Sequence, residues 1–91
     1  MLDRGAGLPG DRLLGLVKQI LDKNSITRPL AINHPLTEAG LSSIDMVNLM
    51  LTVEAEFDIV IPESEITPEN FRTISTIEAL ILKINPRITG P

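Results

Sequence analysis

Cysteine, tryptophan and tyrosine are absent from the 91-residue chain, and its only aromatic residues are Phe57 and Phe71. Without cysteine there is no disulfide framework, no thiolate nucleophile and no thiolate metal site. A core with so few rings must be filled by Leu, Ile, Val and Met, which suits packed helices. Histidine occurs once, as His34 ahead of Pro35. No second ligand or nucleophile accompanies it, so the expectation is no metal, no Ser-His-acid set and no enzyme. Positive charge is also scarce: 8 Lys and Arg against 12 Asp and Glu give a formal charge of −4. That balance argues against nucleic acid as a partner and for basic protein surfaces. No apolar run reaches the length of a membrane span, and no signal-peptide core opens the chain, so the expected address is cytoplasmic.

What is present reads as one small helical domain at residues 11–84, between flexible ends at 1–10 and 85–91. Met1 to Gly10 contains three glycines and Pro9 and is expected to be loose. Asp11 is placed to cap a helix through Lys23 on the apolar stripe Leu13, Leu14, Leu16, Val17, Ile20 and Leu21. Gly15 weakens that helix and suggests a close helix contact. Ser25 to Glu38 contains Pro29 and Pro35, which push Arg28 and His34 out of helical geometry, so a long loop pinned by Leu30, Ile32 and Leu36 is expected. Ile59 to Ile61 is briefly strand-like. Thr67-Pro68-Glu69-Asn70 predicts a short helical turn at Pro68 to Phe71, and Ser75 to Glu78 reads as a capping box for a last helix to Ile84.

The organising stretch is Leu41 to Pro62, LSSIDMVNLMLTVEAEFDIVIP. Val47, Met50, Leu51, Val53 and Phe57 recur at helical spacing and predict a broad buried face, with Asp45, Asn48, Thr52, Glu56 and Asp58 opposite. Ser42 is placed to cap, its hydroxyl accepting the Asp45 N–H while the Asp45 carboxylate reaches back. Ser43 then stands in the first turn with its hydroxyl toward solvent, where a phosphate-bearing group is tolerated.

Gly40-Leu41-Ser42-Ser43-Ile44-Asp45-Met46-Val47 resembles the Gly-x-Asp-Ser-Leu-Asp-x-Val site of acyl carrier proteins, in which the serine carries 4′-phosphopantetheine. Glu54, Phe57, Ile61 and Pro62, with Glu56, Asp58 and Ile59 among them, fall on that family's Glu-x-x-Phe-x-x-x-Ile-Pro tail. The likeness runs from about Leu36 to Ile84. It implies an all-α, four-helix acyl-carrier-like bundle of three main helices and a short third, with a long first loop. It also implies 4′-phosphopantetheine on Ser43, attached by a phosphopantetheinyl transferase, with Ser42 as the cap where the family has Asp. The monomer would then serve acyl- or aminoacyl-loading and transferring enzymes of lipid or secondary-metabolite synthesis as a specialised discrete carrier. By the same likeness Asp45, Glu54, Glu56, Asp58 and Glu63, with the apolar Met46 and Leu49, form an enzyme-docking face. Met50, Ile61, Ile66 and Phe71 line either an acyl pocket or plain core. The competing reading is an unmodified interaction module of the same fold, for which Ser43→Ala would matter little.

Overall fold

The computed structural model describes residues 9–26 and 30–86. Four α-helices follow in the order α1 (Pro9–Lys23), α2 (Leu36–Ala39), α3 (Ser43–Phe57) and α4 (Ile74–Ile84), with a 3-10 turn at Glu63–Glu65. No strand occurs among the described residues, so Ile59 to Ile61 is extended chain whose side chains alternate: Ile59 and Ile61 inward, Val60 outward. The expected looseness of residues 1–8 and 87–91 and the geometry of Arg28 lie outside the described residues.

Each long helix buries one stripe. Leu13, Val17 and Leu21 of α1 meet Leu49, Val53 and Phe57 of α3 and Ile74, Ile77, Leu80 and Ile81 of α4 in a single core. Helix α1 packs on both α3 and α4. A fully buried Leu or Ile contributes roughly 1.5–3 kcal/mol by leaving water, so this cluster dominates stability.

The helix ends depart from expectation in instructive ways. Helix α1 begins at Pro9 rather than after Asp11, because the Gly10 N–H donates to Glu78 Oε2 of α4 at 3.0 Å. A side chain at Gly10 would meet that carboxylate. Helix α1 ends in a Schellman motif: Ser25 takes a left-handed conformation (φ 61°), and Ile26 N–H donates to Leu21 O at 2.8 Å. The capping box of α4 is Thr73 with Thr76, two residues before the expected one, and Glu78 is spent on Gly10. Gly15 marks no close contact; the space where its Cβ would stand is open.

The first loop contains α2, which was not expected, and is pinned by Leu36 and the partly buried Leu30. Ile32 is exposed and holds through its carbonyl, which accepts the Ser75 N–H at 2.9 Å. Pro68 to Phe71 is a hydrogen-bonded turn and not a helix. Thr67 accepts from Phe71 N–H and Asn70 N–H, both at 3.2 Å, before Thr73 turns extended to cap α4.

Candidate functional site

Helix α3 starts where two local devices meet. Ser42 Oγ accepts the Asp45 N–H at 3.1 Å and Asp45 Oδ2 accepts the Ser42 N–H at 2.9 Å, so the expected capping box is present. Asn24, at the end of α1, donates to the same carboxylate oxygen at 2.9 Å and ties the two helices. The Ser42 backbone N–H above all, then the Asn24 amide and Ser42 hydroxyl, hold the Asp45 carboxyl below its ordinary pKa against desolvation. With Ser42 engaged, Ser43 is exposed at the first helical position, and its hydroxyl makes no hydrogen bond among the described residues.

Ser43 lines a groove of about 540 Å³ together with Thr37, Met46, Pro68, Glu69, Phe71 and Arg72. A second groove of about 260 Å³ shares Met46, Pro68 and Phe71 and extends to Val47, Met50, Ile66 and Thr67. Three residues expected at an acyl pocket, Met50, Ile66 and Phe71, are thus together, along a surface groove. Ile61 is not among them; it is 4% exposed and belongs to the core, where its N–H donates to Glu54 Oε2.

The residues expected at a docking face differ in exposure and pairing. Leu49 is completely buried and cannot meet a partner, because Leu49, Val53 and Phe57 form the inward stripe. At about 100° per residue, Val47 and Leu51 project nearly opposite Leu49. Both are 53% exposed and Ile44 is 73% exposed, so Val47 and Leu51, whose spacing predicts a buried face, lie on the outer one. Ile44, Val47 and Leu51 were missed as surface residues, although their i, i+3, i+7 spacing is itself a helical stripe. Glu54 is committed to the Ile61 N–H at 2.8 Å. Glu56 pairs with Arg12 at 2.7 Å, and that guanidinium also lies 4.4 Å over Phe57. Asp58 is exposed in a left-handed C-terminal position of α3, and Glu63 is exposed in the 3-10 turn. Met46 is half-buried on the grooves. Thr37, Glu69 and Arg72 joined the site without a sequence signal, since only the fold brings α2 and the turn before α4 to Ser43.

Among the described residues no cluster of His, Cys, Asp or Glu could hold a metal, and no helix is long and apolar enough to cross a membrane. The described residues thus form a small helical bundle with an exposed serine hydroxyl at the head of a capped helix.

Comparison with known proteins agrees. The family described as "Phosphopantetheine attachment site" matches residues 11–81. Aminoacyl carrier protein 1 of Bradyrhizobium diazoefficiens is 50% identical over 72 residues, 79% of this chain and 80% of that protein. Aminoacyl carrier protein 2 of the same organism is 47% identical over 72 residues, 79% of this chain and 81% of that protein. A similar fold occurs in the crystal structure of Bradyrhizobium japonicum glycine:[carrier protein] ligase complexed with cognate carrier protein and an analogue of glycyl adenylate. That match has TM-score 0.71 and 49% identity over 81% of this chain and 96% of the matched one. The ligase complexed with glycylated carrier protein matches at TM-score 0.69 and 51% identity, over 78% of this chain and 96% of that one.

The chain belongs to the phosphopantetheine-binding carrier proteins. Its prosthetic group is 4′-phosphopantetheine, and it serves enzymes without being one. The residues present fit that group: an exposed serine hydroxyl shares a groove with Arg72, which makes no ion pair among the described residues, and with an apolar wall of Met46, Pro68 and Phe71.

Proposed function

We propose that this protein is an aminoacyl carrier whose 4′-phosphopantetheine is attached to Ser43 and whose cargo is a small amino acid such as glycine. The observation that carries the attachment is the division of labour between two serines: Ser42 spends its hydroxyl on the cap, and Ser43 keeps its own for modification. When bound, the prosthetic group supplies the thiol that holds an aminoacyl group as a thioester, a group the cysteine-free chain lacks. The chain's part is to hold the root of the arm on a rigid helix end and to be recognised. Likeness to carriers named as aminoacyl, and to a chain solved with a glycine ligase, favours aminoacyl cargo over lipid pathways.

Recognition falls to the outer face of α3. Ile44, Val47 and Leu51 offer an apolar stripe, while Asp58 and Glu63 add exposed negative charge nearby. An amino-acid-activating ligase and a phosphopantetheinyl transferase with basic rims would dock there, steered by charge and released quickly. The reading is of a monomer working in the cytoplasm.

Intact mass of the protein from its native host, with peptide mapping of α3, tests the attachment. One phosphopantetheine on Ser43 is expected, with added mass on the thiol equal to an aminoacyl group. An unmodified protein that stays unmodified with coenzyme A and a broad-specificity transferase would overturn it in favour of an interaction module. Loading assays with a glycine ligase test the cargo: Leu51→Ala should weaken loading about tenfold, in keeping with the loss of one apolar interface anchor.

A further inference from the structure

We infer that Arg72 is the positioning residue for the phosphodiester that joins the prosthetic arm to Ser43, an assignment that rests on Ser43 being the attachment residue. Arg72 lines the groove that contains Ser43. Its side chain is exposed and makes no ion pair or hydrogen bond among the described residues, whereas Arg12 is paired with Glu56 and Lys83 with Glu65. Lys23 lines a different groove, between α1 and α3.

The backbone under Arg72 is nevertheless fixed. Its carbonyl accepts the Leu36 N–H at 2.8 Å, and the next residue, Thr73, caps α4. The same hydrogen bond brings Thr37, whose hydroxyl is a second potential donor, to the groove. A guanidinium on a fixed root with no partner among the described residues, on the groove that contains the hydroxyl receiving the phosphate, is suited to the planar two-oxygen face of a phosphodiester. The need is real in a chain of net charge −4, where an added anion meets repulsion, here including Glu69 on the same groove. Met46, Pro68 and Phe71 would offer an apolar wall to an arm held at its phosphate, whereas Gln19, Asn24 and Asn48 line a separate groove.

The test compares apo and holo forms of the wild type, Arg72→Gln and Glu69→Gln, with attachment at Ser43 verified by intact mass and peptide mapping. On modification the Arg72 Nε–H signal should shift in the wild type and in Glu69→Gln. The ³¹P signal of holo Arg72→Gln should move toward that of free phosphopantetheine and sharpen. Full modification of Ser43 with an unmoved Arg72 Nε–H, and one ³¹P signal common to wild type and Arg72→Gln, overturns the role of Arg72 alone. Failure to modify Ser43 at all overturns the attachment reading and this one with it. Both substitutions are at exposed positions, and unchanged backbone spectra of the apo forms verify the fold.

Discussion

Helices α1 and α3 are each 15 residues long and both lie against the same core, yet they carry their information differently. In α1 the apolar residues gather on one side, and the stripe read from spacing is the stripe that is buried or half-buried. Helix α3 is apolar on two sides. Leu49, Val53 and Phe57 face the core, and Ile44, Val47 and Leu51 face water. A helix whose only task is to fold needs one apolar face; a second face that remains exposed after folding is available for another molecule.

The sharpest way to break this comparison is at neighbouring leucines of α3. Leu49→Ala should cost about 3 kcal/mol, the range expected for truncating a fully buried Leu. Leu51→Ala should change stability by less than about 0.5 kcal/mol, as surface substitutions do. Equal shifts in urea midpoint would mean the two faces had been assigned wrongly. Next come the adjacent serines: Ser42→Ala should lose about 1 kcal/mol with the cap. Ser43→Ala should leave the urea midpoint nearly unchanged while abolishing phosphopantetheine uptake, measured by mass. In α1, Gly15→Ala should raise stability by up to about 1 kcal/mol, because the position is exposed with open space around it. A loss there would restore the close contact that the structure does not contain.

The smallest effect expected is on acidification. Asp45 is held low mainly by the Ser42 backbone N–H, and Glu65 mainly by its hydrogen bond from Lys83. A depressed carboxyl stabilises the fold fully above its unfolded pKa, near 4, and loses that contribution as pH falls through the folded value. Urea midpoints measured from pH 6 to pH 3 should therefore fall, and fall less steeply in Asp45→Asn. An unchanged slope would show that the Ser42–Asp45 capping box, the main cause of the low Asp45 pKa, does not form in solution.

Much of the fold was legible in the chain. The stripe of α1, the Ser42–Asp45 box and the exit at Ile61-Pro62 all depend on residues close in sequence, so local spacing contains them. The box of α4 was displaced because Thr73 and Ser75 are both competent caps, and Glu78, which made the later one attractive, is drawn away by Gly10 of α1. The pairing of the acidic residues was not legible for a similar reason: the partners of Glu54 and Glu56 are Ile61 and Arg12, and the second lies far off in sequence.

By itself the sequence determined that this is a small cysteine-free helical bundle and that a capped helix starts with a serine to spare, since composition, periodicity and capping are properties of neighbours along the chain. Only the tertiary structure decided which face of α3 is buried, which acids are already paired, and that Thr37 and Arg72 share a groove with Ser43. The physical reason is that burial and charge pairing are settled by which surfaces close on one another, and a helix apolar on two sides leaves that choice to its neighbours.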